Sequence, residues 1–582
     1  MQAKMKVHLP AFLCALTLVV CYAIVRPYAE MGIDDDWSYV KSSQVLAQTG
    51  HIVYNGWAAP MLGWQLYCGA FFVKLFGFSF TAVRLSTLIE AMATAFLLER
   101  SMVWAGINEW NASLATTAFV LSPLYLPLTY TFMTDVSGVL CIVLCLYMCL
   151  RALRAGSQIS TIVWISLAAL SNALAGTARQ IAWLGVLVMV PSTLWLLRRD
   201  RRVVMIGGAS CIASAGFVFA AMHWFAQQPF SVPEPLLPDR IDIGSLASLG
   251  AAVLRAGGKM PVLLLPVLLM FVGPLRAWNR RTAAVFAVGS LCFVSLCAIF
   301  WSAAKLHRFL ISFFGVSMTI TAFQSWDATR DLKMNFANYG LRLLLIGTTG
   351  LGLVGFAAHL FGAMEQHSDL HRQDFPISWQ KLCVVLGPFT LAYVALLMSL
   401  SAGDRFMFRY LLPLQAICLL VLARYYQQKV RTDLPRVCSL LIAIFAAFTV
   451  AATHDEFALY RGYLSAIDEI RSSGVPATSI WGPWEYDGWT EIEKTGYLGA
   501  ADRRVPNQAN TLPPERDFPS NCNQDWFGFL NGTPAIKPLY GLSLDPGDCD
   551  GEAGFRPVNF RTWIAPPDHS IYVVRLPASL SR

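Results

Sequence analysis

Apolar runs long enough to cross a hydrocarbon core of about 30 Å, each about 17–25 residues, recur from the start of this chain to beyond residue 450. A run of that length with almost no charge inside it satisfies its backbone only as a helix in lipid. Composition agrees. Of 582 residues 56% are hydrophobic and 14% are charged, whereas soluble proteins carry about 25% charge. The expectation is an all-α polytopic membrane protein of about thirteen transmembrane helices, followed by a small C-terminal α/β domain.

Spans are expected near 10–28, 81–98, 112–128, 136–150, 160–176, 181–197, 203–225, 260–275, 282–301, 308–325, 341–361, 380–400, 408–423 and 436–452, with a surface helix near 243–254. From His454 onward the sequence turns polar and rich in Gly, Pro and Asp, so the chain divides into a transmembrane part, 1–453, and a soluble part, 454–582. In the latter, 460–472 reads as an amphipathic helix, and 479–482 and 571–575 read as strands.

The net charge of +8 is not a nucleic-acid footprint. The cations sit in short clusters between spans, such as Arg198, Arg199, Arg201 and Arg202, and no Lys/Arg stripe alternates with aromatics. Lys4 and Lys6 before the first span read as a cytoplasmic start of a retained helix, which puts the following loop outside. Later the rules conflict. Counting crossings from Arg276 places Arg405 and Arg409 inside, while the basic stretch 424–436 places itself inside and Arg409 with the C-terminal domain outside. The second reading is preferred, on that basic stretch and on a cysteine pair. Twelve of the fourteen cysteines lie in or at the ends of apolar stretches; Cys141, Cys145 and Cys149 read as a close-packing helix face. Cys522 and Cys549, in the polar part, read as a disulfide of an extracytoplasmic domain.

Between the first two spans, residues 29–80 form a loop far longer than a connector needs. It opens with Asp34, Asp35 and Asp36 beside Trp37 and Tyr39. Carboxylates held at a membrane surface are costly unless solvated or used; the bland alternative is a helix N-cap. Residues 37–48 have helical spacing stopped by Gly50, and 61–76 reads as an interfacial helix whose Trp64, Tyr67 and Phe72 suit a lipid groove. Asp135, Arg84, Arg179, Arg405 and Arg409 fall near the same membrane face, with Lys305, His307 and Arg308 as further candidates. A carboxylate can take a proton from an acceptor hydroxyl while guanidiniums neutralise a phosphate leaving group. The sequence does not say whether a divalent metal ion sits with the acids. Cations at headgroup depth beside a greasy groove fit a lipid-linked phosphate.

Several segments together resemble the GT-C superfamily of integral membrane glycosyltransferases. They are a first span, a loop opening with Asp35-Asp36-x-x-Tyr39, a segment ending LFGFSFTAVRLST, a turn through SPLYLPLTYTFMTDV and a late RYLLP. The nearest groups are the protein O-mannosyltransferases, the lipid A aminoarabinose transferases and the Rgt-type lipopolysaccharide sugar transferases. The resemblance covers residues 10–200 and, locally, 405–413. It implies inverting transfer of a sugar from a polyprenyl-phosphate donor to a lipid, glycan or protein hydroxyl, outside a bacterial plasma membrane. It also implies that the loop acid acting as base is Asp35, followed by Asp36, with Asp34 in an alternative register. Asp135 falls where an acid lies near the acceptor or a metal, and Arg179 and Arg409 fall near the donor phosphate. The competing reading is a transporter or flippase of a lipid-linked saccharide, which calls for charged or broken helices at mid-membrane depth in matched halves.

Overall fold

The computed structural model describes residues 2–233, 242–273, 278–302, 339–363, 375–402, 406–498, 521–522, 527–564, 568–577 and 580. The expected span 308–325 and Lys305, His307, Arg308 and Arg405 lie outside the described residues.

The chain opens with α1 (Gln2–Val25), then α2 (Asp36–Thr49) and α3 (Gly63–Phe76) within the acidic loop. Next come α4 (Phe80–Trp104), α5 (Glu109–Val120), α6 (Thr134–Leu153), α7 (Gln158–Ala175), α8 (Val190–Leu196) and α9 (Arg201–Gln227). The later helices are α10 (Ile243–Leu263), α11 (Leu265–Leu268), α12 (Arg280–Ser302), α13 (Tyr339–Ala363), α14 (Trp379–Ala402), α15 (Leu412–Lys429) and α16 (Val437–Ser472). Among the described residues nine helices are long and apolar enough to cross a membrane, or ten if α10 and its bent continuation count as one span. The chain is a multi-pass helical membrane protein.

Four expected elements differ in form. The span expected at 112–128 stops at Val120, before Pro123, whose ring and missing N–H end a helix. Residues 121–133 then run buried and irregular through a 3-10 turn at Pro127–Tyr130. The span at 181–197 is broken into a 3-10 turn (Gln180–Trp183), a π turn (Gly185–Met189) and α8. Its break has a local cause: Asn172 Oδ1 accepts the Val186 N–H at 2.8 Å, drawing a side chain into the backbone ladder. The surface helix near 243–254 runs into the start of the span at 260–275 as one helix, α10, and the rest of that span follows a 62° bend into Leu265–Phe271. Pro266, at the start of α11, removes the N–H that would carry α10 straight on.

α16 runs 36 residues and shows no break at His454. It carries a four-stranded sheet of β1 (Ile480–Trp481), β2 (Tyr540–Ser543), β3 (Val558–Arg561) and β4 (Asp568–Arg575), in the order β1-β2-β4-β3. β1 is parallel to β2; β4 pairs antiparallel with β2 and β3, placing Leu542 opposite Val573 and Val558 opposite Ile571. The sheet lies hard against α16 at Gly462, where a Cβ would come within 2.8 Å of Ile571. Cys522 and Cys549 are joined by a disulfide. Between β1 and β2, α17 (Trp484–Thr495) packs on α2: a Cβ at Gly488 would sit 2.5 Å from the Trp37 ring.

Hydrogen bonds fix which ends share a side. Gln427 accepts the Asn108 N–H at 2.8 Å, and Asn111 bonds Thr432 and Leu434, so the stretch 424–436 lies beside the turn before α5. At the other end of the 25-residue α4, Arg409 and α17 meet the acidic loop. The basic stretch therefore sits opposite the acidic loop, and Arg409 and the C-terminal segment sit beside that loop.

Candidate active site

A tight turn splits the acidic triplet. Asp34 adopts φ +53, a left-handed conformation that Asp tolerates better than most residues. Gly32 allows close approach, because a Cβ there would fall 2.5 Å from that of Trp37 and 3.0 Å from that of Glu485. In consequence Asp36 points one way and Asp34 and Asp35 another.

Asp36 turns inward and is fully buried. Arg84 meets it with Nε at 2.8 Å and Nη2 at 3.1 Å, and the backbone N–H groups of Ile33 and Phe132 donate to its two oxygens. The same guanidinium donates to the carbonyls of Ala29 and Met31, both at 2.7 Å. A bidentate pair with this many partners is a bolt between α4 and the loop.

Asp34 and Asp35 converge instead on Arg409, whose Nη1 lies 2.6 Å from Asp34 Oδ2 and whose Nη2 lies 3.1 Å from Asp35 Oδ2. Asp35 occupies the N-cap position of α2 yet makes no capping bond. Its other oxygen accepts the Trp57 indole N–H at 2.6 Å. An N-cap aspartate normally satisfies an orphan N–H of its helix; this one is held for other partners. Its side chain is 17% exposed and that of Asp34 21%, against 0% for Asp36. Burial, offset by Arg409 and reinforced by the charges of Asp35 and Asp135, pushes the Asp34 carboxyl up to about 7.

The opposite wall comes from α6 and the broken segment. Asp135, in the first turn of α6, lies 3.5 Å from Arg409 Nε and 3.3 Å from Arg179 Nη1. Arg179 also donates to Thr134 at 2.6 Å and lies over the Tyr410 ring at 4.8 Å. The turn carrying Arg179 is set by Trp183, whose indole donates to Ala173 and whose ring fills the space a Cβ on Gly176 would need. Gly138 leaves the room Arg179 occupies, since a Cβ there would lie 2.9 Å from Arg179 Cδ. Arg409 stands on a 3-10 turn, Phe408–Leu411, just ahead of Pro413 in the first turn of α15.

The structure thus gathers Asp34, Asp35, Asp135, Arg179 and Arg409, and sets Asp36 and Arg84 apart as a buried pair. Trp64 and Tyr67 lie exposed on α3 and Phe72 is half-buried, with the Trp64 indole N–H bonded to Glu90 at 3.1 Å. Sequence reasoning missed Trp57, Thr134, Gly138 and Tyr410, whose roles depend on tertiary contact. It also missed Glu90, a carboxylate inside an apolar run, which was legible as such. Among the described residues no group of three or more His, Cys, Asp or Glu side chains is arranged to hold a metal; the three acids are bridged by Arg409 instead.

Fold and site define a multi-pass membrane protein with a carboxylate–guanidinium cluster gathered at one end of its helices. No protein-family model matches the sequence, and no curated protein matches it. Among solved structures it is similar to ArnT from Cupriavidus metallidurans bound to undecaprenyl phosphate (14% identity, 80% of each chain covered, TM-score 0.39) and to the apo state of that protein (14%, 82% of each chain, 0.36). It is also similar to the Archaeoglobus fulgidus oligosaccharyltransferase in complex with Zn and sulfate (12% identity, 90% of this chain and 67% of the other, TM-score 0.39).

Proposed function

We propose that this chain is an integral membrane glycosyltransferase of the GT-C type. It moves a sugar from a polyprenyl-phosphate donor to a hydroxyl of a lipid, glycan or protein acceptor at the extracytoplasmic face. The observation that carries this reading is the sharing of Arg409 by Asp34, Asp35 and Asp135, with Arg179 alongside. Acids poised to take a proton stand against cations able to receive a phosphate, where chain segments leave the bilayer.

Asp35 is the general base. Trp57 and Arg409 fix its orientation, and it takes the acceptor proton as the hydroxyl oxygen bonds to the anomeric carbon and the bond to the phosphate oxygen breaks, inverting that carbon. Asp34, when ionised, pairs with Arg409 and holds that guanidinium against Asp35. Arg179 and Arg409 take up the charge that develops on the departing lipid phosphate. Asp36 and Arg84 hold the loop on α4. The exposed face of α3, with Tyr67 and Trp64, lines the approach of the lipid. Transfer of labelled sugar from polyprenyl-phosphate donors by the purified chain tests the reading; binding of such lipids with no transfer to any hydroxyl acceptor speaks against it.

A further inference from the structure

The C-terminal segment reaches the acidic turn through one buried side chain. Glu485, in the first turn of α17, is fully buried, and its Oε1 accepts the Asp34 backbone N–H at 3.1 Å across 451 residues of chain. The same oxygen accepts the Tyr460 hydroxyl of α16 at 2.6 Å. The contact falls where the turn is least comfortable, at the left-handed Asp34. The chain is built for this approach on both sides: a Cβ on Gly32 would fall 3.0 Å from the Glu485 Cβ, and Gly488, one helical turn on, leaves room for the Trp37 ring. Trp484, the residue before Glu485, packs its ring 5.6 Å from Trp57, the indole that holds Asp35.

We infer that Glu485 is a positioning residue for the acidic pair: it pins the Asp34 amide and so fixes the direction in which the Asp34 and Asp35 carboxylates point. This rests on the catalytic reading of the loop. On that reading the soluble segment is part of the transferase site, and a chain lacking it loses the geometry of the base while keeping the donor cations Arg179 and Arg409.

The test uses the full chain in detergent, with Glu485→Ala, Glu485→Gln and Tyr460→Phe, and Asp35→Asn as a reference. Hydrogen exchange is followed in peptides covering 31–39 and in peptides of α4 and α6. Turnover is measured with a labelled polyprenyl-phosphate hexose. In Glu485→Ala the Asp34 amide is expected to exchange at least about tenfold faster while α4 and α6 keep their protection. Turnover is expected to fall about ten- to a hundredfold at unchanged donor KM, because a misplaced base costs rate rather than binding. Glu485→Gln, which keeps an acceptor oxygen, restores both; Tyr460→Phe, which removes the hydroxyl bonded to Glu485, gives an intermediate rise in exchange. Unchanged exchange at Asp34 in Glu485→Ala overturns the inference, as does faster exchange with turnover intact. Full turnover in Asp35→Asn overturns the underlying reading of the loop instead.

Discussion

Arg409 donates to Asp34 at 2.6 Å across 375 residues of chain, joining the start of the first long loop to the foot of a late helix. The same guanidinium reaches Asp35 and Asp135, so one cation is shared by three acids. Lysine at this position offers a point charge and no planar fork. Arg409→Lys is expected to lower transfer about a hundredfold or more. Arg409→Ala, which strands the acids, is expected to cost about 3–5 kcal/mol of stability. Turnover and thermal unfolding of the two variants in detergent check this.

The pH dependence follows from Asp34. Its carboxyl titrates at about 7 in the folded chain, above its ordinary 3.8. Between those values the folded state holds a proton that the unfolded chain has lost, so the contribution of Asp34 to stability declines as pH rises through this window. Activity runs the other way. Transfer rises as Asp34 ionises and completes its ion pair with Arg409, giving a limb near pH 7. Asp34→Asn is expected to flatten that limb and leave a reduced, pH-independent rate over the same range, read from kcat/KM profiles.

Gly138→Ala separates the donor cation from the fold. The new Cβ would lie 2.9 Å from Arg179 Cδ, a flexible side chain able to swing aside. Thermal stability is expected to change by less than about 1 kcal/mol, within the range of mild substitutions, while turnover falls because Arg179 leaves Asp135 and Thr134. Unaltered turnover in a folded Gly138→Ala protein removes Arg179 from the mechanism.

Asp36 and Arg84 are expected to behave as structure. Removing either partner leaves a buried charge and costs about 3–5 kcal/mol, whereas replacing both with apolar residues costs less than the sum of the two single changes. A double-mutant cycle on unfolding measures the coupling. Asp36→Asn enzyme that folds is expected to keep substantial turnover, in contrast to Asp35→Asn.

What could be read from the sequence divides along physical lines. Spans such as α4, α6, α9 and α14 were legible because apolar length alone specifies a helix in lipid. Gly50 ends α2 as expected, in the left-handed conformation that suits glycine. The acidic triplet stood out because carboxylates at a span end demand a reason. Which acid faces which way was not legible: the turn at Asp34 is held by Glu485, hundreds of residues on, and Asp36 is sorted inward by Arg84 and the Phe132 amide. Pro123 marks the stop before 121–133 in the sequence itself, whereas the break at 180–189 was hidden for the same reason as the sorting of the acids. Asn172 and Trp183 act there through side-chain contacts that hydropathy does not see.

The most direct measurement compares wild type and Asp35→Asn for release of the polyprenyl phosphate and appearance of labelled sugar on a hydroxyl acceptor, in reconstituted membranes. The account predicts that Asp35→Asn binds the donor as wild type does and loses at least about a hundredfold in transfer, the contribution of a positioned base. Wild-type transfer by an Asp35→Asn protein, and by the Asp34→Asn, Asp35→Asn double variant, would contradict it.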